Sequence, residues 1–350
     1  MGKGHVAGAR GKLREVRLAL TDSIRERAGR CLEQGAPPGS SLHLASAFAA
    51  TWLAERVSRP IELPADLAVA GVGGATLGGA GKTPLAIALA RSLGEVAFVG
   101  HAYRARPGKA RLVSPGDPLD EVGDDALAAA RALASTGARV VVAPCRADAF
   151  AFVRALGFRL AIADGLLQTT PARLAASILT LDAARPWGSG ACPPAGDLRA
   201  PREALLAAAD LVAAVGSPVA TGLPPGSLLI PSTLAGALSP MGELISLGSL
   251  SSLRLGLLLA IAHPERVLAS LRSAGLTPVE TILLGDHALP SPRLLARAAA
   301  LGLDAWLTTG RCATKLPPSL GRAPVLALDH RLDVAALSRR VGALCYRAAP

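Results

Sequence analysis

The segment that most constrains this chain is Thr76-Leu77-Gly78-Gly79-Ala80-Gly81-Lys82-Thr83, set between a short apolar run and a helical pattern. A strand feeding a glycine-rich turn and then a helix is the setting in which a backbone loop wraps phosphates. Glycines let main-chain N–H groups approach the oxygens, and the helix N-terminus adds positive potential. Lys82 is placed to reach the β- and γ-phosphates, and the Thr83 hydroxyl to ligate Mg²⁺. Thr76 stands where the common loop has its first glycine, with Gly73 and Gly74 just upstream. Pro84 is tolerated in the first helical turn, where a missing N–H costs nothing. The expected ligands are the phosphates of a nucleotide and Mg²⁺. No Asn/Thr-Lys-x-Asp pattern that would select guanine is present.

Around this loop the hydrophobic pattern alternates. Leu67–Val72, Val96–Val99, Arg139–Ala143, Leu160–Ala163, Ser177–Leu181 and Leu211–Val215 read as short buried strands. Lys82–Leu93, Asp124–Ser135, Arg146–Leu156 and Pro201–Ala209 read as the helices between them. This predicts an α/β fold: a P-loop NTPase domain with a mostly parallel sheet flanked by helices. A stretch rich in Pro, Gly and Ser from Gly216 to Ser252 breaks the rhythm, with Ser227–Leu234 as a linking strand. Strands at Leu255–Ala262, Val279–Leu284, Ala305–Thr308 and Val325–Leu328 then resume with helices between them. The expected organisation is a basic N-terminal region with an amphipathic helix over 1–60 and a P-loop domain over 61–226. A linker over 227–252 follows, and a smaller C-terminal α/β domain over 253–350 closes over the nucleotide site.

The N-terminal region carries Lys3, Arg10, Lys12, Arg14, Arg17, Arg25, Arg27 and Arg30. Ser41–Val57 reads as a helix with Leu42, Ala45, Phe48, Ala49, Trp52 and Leu53 on one side. Trp52 beside Arg56 and Arg59 suits a helix lying in a lipid interface, although a helix packed on the core gives the same pattern. The whole chain has 37 Lys+Arg against 26 Asp+Glu, a formal charge of +11, which favours an anionic partner. With aromatics at 3% and no dense basic run, phosphate or a membrane surface is expected and nucleic acid is not. No protein partner is evident. Cys31, Cys145, Cys192, Cys312 and Cys345 form no C-x-x-C pair and read as free thiols. No apolar run reaches the roughly 18 residues of a spanning helix, and no leader pattern opens the chain.

A P-loop enzyme needs a strand-end carboxylate near Mg²⁺. Asp164, closing Leu160-Ala-Ile-Ala-Asp164, has that form, and Asp182 after Ser177–Leu181 is a rival. Asp124 and Asp125 open a helix behind Gly123; they read equally as a helix start or as a general base near the γ-phosphate. His287, in Gly285-Asp286-His287, could face the loop across the cleft, whereas His5, His43, His263 and His330 read as non-catalytic.

From about Ser41 to Lys315 these pieces resemble the tetraacyldisaccharide 4'-kinase family, the lipid A 4'-kinases. The most specific stretch is Gly71 to Pro84, with Thr76 at the loop start and Pro84 after Lys82-Thr83. Gly123-Asp124-Asp125, Val141 to Arg146, Asp164-Gly165-Leu166-Leu167-Gln168, Trp187 to Arg199, Ala260 to Arg266 and Gly285-Asp286-His287 are similar to further family segments. The resemblance implies transfer of the ATP γ-phosphate to the 4'-hydroxyl of a tetraacyldisaccharide 1-phosphate. It places that reaction at the cytoplasmic face of the bacterial inner membrane, with the enzyme bound peripherally. It implies Asp124 as catalytic base with His287 as its partner, and Asp125 and Arg146 toward the substrate. The chain departs from the family at Ala163, where an Asp-Asp pair has its first Asp, and at Thr169 in place of a His. It departs again over Gly100–Arg104 and over Thr308-Thr309-Gly310-Arg311-Cys312. The alternatives are a P-loop relative with weakened or lost kinase activity, or a P-loop NTPase acting on another acceptor.

Overall fold

Buried strands of small and β-branched residues cover both faces only when helices flank them, and the first lobe is built that way. The structure is a computed structural model and describes residues 27–102, 105–216 and 222–348. Among the described residues, an eight-stranded sheet runs in the order Leu228–Ile230, Leu211–Val215, Ala176–Asp182, Ala68–Gly74, Leu160–Asp164, Ala97–Val99, Arg139–Val142, Arg111–Val113. All neighbours are parallel except the last edge pair. The phosphate-loop strand Ala68–Gly74 is central, between Ala176–Asp182 and Leu160–Asp164. Its alternate residues feed two cores. Ala70 and Val72 pack with Leu85, Leu89 and Leu127 on one face, and Val69 packs with Phe150 and Val153 on the other.

The second lobe is a mixed sheet in the order Leu244–Ser246, Ser232–Leu238, Ala323–Leu332, Ala305–Thr309, Leu255–Leu259, Glu280–Leu283. Its three strands Ala305–Thr309, Leu255–Leu259 and Glu280–Leu283 run parallel, so their C-terminal ends lie along one edge.

Two parts of the expected organisation change. Residues 227–252 are not a linker: Leu228–Ile230 extends the first sheet, while Ser232–Leu238 and Leu244–Ser246 belong to the second. The prolines and glycines that suggested a loose segment mark sharp bends between short strands. Pro231, which cannot donate to a ladder, stands where the chain leaves one sheet for the other. The C-terminal helix Ala335–Ala348 also leaves the second lobe, because Leu337, Val341 and Cys345 are buried in the first-lobe core beside Leu85 and Leu89. The two crossings touch, as Asp333 N–H donates to Pro231 O at 3.1 Å.

The helix Leu42–Glu55 forms as expected, but its apolar residues divide between two faces. Ala50 and Leu53 pack toward Trp187, Cys192 and Leu198, and the buried Ser46 hydroxyl donates to Cys192 O at 2.7 Å. Leu44, Phe48 and Trp52 form the opposite stripe, 70%, 83% and 53% exposed. The Arg56 guanidinium sits 4.0 Å from the Trp52 ring centre. Among the described residues no helix is long and apolar enough to cross a membrane. Lys3, Arg10, Lys12, Arg14, Arg17 and Arg25 lie outside the described residues.

Candidate active site

The turn from Ala75 to Gly81 closes onto the helix Lys82–Leu93 through a left-handed Gly81, φ +79°. Gly74 is required by the lysine: a Cβ there would lie 2.7 Å from Lys82 Cδ. Thr76 serves the loop in place of glycine, its hydroxyl donating to Gly78 O at 2.7 Å. The segment Trp187–Arg199 braces the loop from outside. Leu77 N–H donates to Asp197 O at 2.9 Å, and Arg199 donates to Thr76 O and Leu77 O. Burial and the neighbouring Arg199 push the Lys82 ammonium down to about 8. A polyphosphate entering this loop restores the missing negative charge.

Thr83 donates to Asp164 Oδ2 at 2.6 Å, and the other oxygen, Oδ1, is buried without a hydrogen-bond partner. A hydroxyl and an orphaned carboxylate oxygen at the loop are the hard-oxygen set that suits Mg²⁺. Asp182, the rival, is taken: it pairs with Arg266 of the second lobe. The departure at Ala163 does not touch this pair. Strand alternation turns Ala163 to the opposite face, into the cluster of Phe150, Leu166 and Leu174.

Asp124 is the first residue of the helix Asp124–Leu133 and does not cap it with its side chain. It turns across the cleft instead. His287 Nδ1 lies 2.8 Å from Asp124 Oδ2 and 3.0 Å from Oδ1, and Lys315 Nζ lies 2.7 Å from Oδ2. Burial alone would raise the Asp124 carboxyl, but His287 and Lys315 together hold it well below the usual carboxylate range. Arg311 donates to His287 Nε2 at 2.8 Å and also reaches Asp286. A guanidinium only donates, so Nε2 accepts and Nδ1–H is the donor to Asp124. His287 is held in a left-handed backbone conformation, φ +58°, the one non-glycine among the described residues with positive φ.

Asp125 behaves oppositely to its neighbour. Burial pushes it up to about 6, with Asp124 and Asp164 adding and Arg311, 3.7 Å away, opposing. Asp124, Asp125 and His287 bring ligand atoms within 4.8 Å of one another. Lys315 and Arg311 already balance their charge, so Thr83 and Asp164 are the better Mg²⁺ pair.

Arg146 spends its guanidinium on carbonyls: Val99 O at 2.9 Å, Gly100 O at 3.3 Å and Asp164 O. It ties two strand ends together beside Asp164. Sequence reading missed Lys315, Arg266 and His263. His263, expected to be non-catalytic, covers the loop: a Cβ on Gly79 would lie 1.8 Å from its ring. Arg266 donates to Gly79 O from the same turn.

A family model for Tetraacyldisaccharide-1-P 4'-kinase matches residues 39–344. A tetraacyldisaccharide 4'-kinase from Methylobacterium nodulans is 34% identical over 308 residues, covering 83% of this chain and 88% of the relative. One from Brucella ovis is 31% identical over 309 residues, covering 81% and 87%. The crystal structure of LpxK from Aquifex aeolicus in complex with ATP superposes with a TM-score of 0.61 at 20% identity, over 88% of this chain and 96% of that one. It shares the fold. With the phosphate loop, the strand-end Asp164 and the carboxylate facing His287 all in place, this chain belongs to the tetraacyldisaccharide-1-P 4'-kinase family.

Proposed function

We propose that this chain transfers the γ-phosphate of ATP to the 4'-hydroxyl of a tetraacyldisaccharide 1-phosphate, a step of lipid A biosynthesis, with Asp124 as the base. The observation that carries this reading is the juxtaposition of two charge systems in one cleft. Lys82 opens the helix Lys82–Leu93 and Asp124 opens the helix Asp124–Leu133, and the two helices pack into one buried core.

Phosphoryl transfer asks a protein mainly for positioning and charge stabilisation. The loop N–H groups and Lys82 hold the β- and γ-phosphates. Thr83 and Asp164 would hold Mg²⁺, which when bound would supply neutralising charge at the phosphates. Asp124 accepts the proton of the sugar hydroxyl as the oxygen attacks phosphorus. His287, fixed by Arg311, keeps the carboxylate aimed. Arg146 holds the strand ends that carry Asp164, a positioning role that makes the expected contact with substrate unnecessary. Asp125, beside Asp124, is the further residue we assign to the substrate.

A lipid acceptor requires a meeting with the bilayer. The stripe Leu44, Phe48 and Trp52, with Arg56 stacked on Trp52, is the surface that supports docking at the cytoplasmic face of the inner membrane. The test is transfer of labelled phosphate from ATP/Mg²⁺ to tetraacyldisaccharide 1-phosphate in detergent. Wild type is expected to form the 4'-phosphate, and Lys82→Ala to lose it by about 10²-fold or more, the range of a lost electrostatic stabiliser. ATP binding by wild type without any transfer would move the assignment to a different acceptor or a non-catalytic relative.

A further inference from the structure

Lys315 is one of the chain's few lysines: Lys3, Lys12, Lys82, Lys109 and Lys315 stand among many arginines. It follows the short helix Gly310–Ala313, at the end of the strand Ala305–Thr309. Its side chain is 3% exposed, and its ammonium reaches Asp124 Oδ2 at 2.7 Å. The same oxygen takes His287 Nδ1 at 2.8 Å. A lysine is almost never buried this far without a partner, and Asp124 is the only carboxylate that an ion pair joins it to among the described residues.

We infer that Lys315 is a positioning residue of the transfer reaction, holding Asp124 as an anion at the oxygen that His287 also contacts. This rests on the reading of Asp124 as the base. The two second-lobe groups hold a first-lobe carboxylate between them, so its orientation and its charge are both set by the approach of the second lobe. The other charged groups facing the cluster are Arg311 and Asp286 beside His287, and Asp125 beside Asp124. Arg311 is engaged by His287 and Asp286, so it does not substitute for Lys315 at Asp124. Without the ammonium, Asp124 keeps His287 alone and binds a proton more readily.

The experiment uses the full chain with Lys315→Met and Lys315→Gln, the second keeping a donor without the charge, and Lys315→Arg as the conservative control. One readout is the titration of the Asp124 carboxyl by carbon NMR, with Asp124→Asn giving the assignment. The other is the pH profile of kcat for phosphate transfer. In wild type the Asp124 midpoint is expected below the usual carboxylate range. In Lys315→Met and Lys315→Gln its midpoint is expected to rise by about one unit or more, and the acid limb of kcat to rise with it. At neutral pH kcat is expected to fall about tenfold with KM for ATP within about threefold of wild type, and Lys315→Arg to recover most of it. An Asp124 midpoint unmoved in both neutral variants overturns the inference. A midpoint that moves while Asp124→Asn still transfers phosphate supports Lys315 as the counter-charge and refutes Asp124 as the base. A merely structural lysine would lower stability and leave both titrations in place.

Discussion

Asp124 and Asp125 are adjacent in sequence and opposite in charge behaviour: both are largely buried, but Asp124 has His287 and the Lys315 ammonium close by, whereas Asp125 has only the more distant Arg311 among the described residues. Asp125, pushed up to about 6, binds its proton more tightly in the fold than in the unfolded chain. Its ionisation therefore costs stability, and that cost appears as pH rises from about 4 to about 6. Asp125→Asn is expected to be more stable than wild type by about 1–3 kcal/mol at about pH 8, with the gap closing below about pH 4. Denaturant titrations at both pH values check this, and an unchanged gap contradicts it. The Asp-Asp pair behind Gly123 was visible in the sequence; local pattern left a helix start and a general base equally open, the family resemblance pointed to a base partnered by His287, and the structure turns the Asp124 side chain to His287. Lys315 left only a faint sequence signal, its rarity among arginines. Arg311 looked like a loss against the family pattern, yet it restores a cation at His287 and Asp125.

At the scale of elements, the turn from Ala260 to Arg266 lies on the outside of the phosphate loop. Arg266 bridges Gly79 O and Asp182, while the His263 ring fills the space a side chain on Gly79 would need. Closure of the second lobe is thereby coupled to the loop that holds phosphate. Asp182→Asn and Arg266→Gln are each expected to raise KM for ATP several-fold. Their double variant should be less than additive, with a coupling of about 0.5–3 kcal/mol. Additive effects would mean that the bridge does not support the loop. The central strands and their helices were legible because buried parallel strands leave short, unbroken apolar runs. Residues 227–252 were misread because Pro and Gly signal a bend and a loose linker in the same way. The two-faced helix Leu42–Glu55 was half legible: spacing showed that it was apolar, and only the packed first lobe showed which side was left over.

At the scale of the molecule, the two lobes are joined by two touching crossings and by a C-terminal helix that returns to the P-loop helix, where Ser92 donates to Ser338 at 3.0 Å. The first lobe supplies phosphate grip and the carboxylates, and the second supplies His287, Arg311 and Lys315. The contacts Asp124–His287 and Asp124–Lys315 therefore cross between the lobes. The stripe on Leu42–Glu55 belongs to this scale too. Replacing Leu44, Phe48 and Trp52 together by Ser is expected to weaken sedimentation with anionic vesicles at least tenfold while leaving ATP binding unchanged; equal sedimentation would remove the stripe as the docking surface. The most direct test is single-turnover phosphate transfer to tetraacyldisaccharide 1-phosphate by wild type and Asp124→Asn, with ATP affinity measured on the same preparations. The expected result is ATP affinity within about threefold and transfer slowed by about 10²–10⁴-fold, the range for a lost general base. Transfer by Asp124→Asn within tenfold of wild type would contradict it.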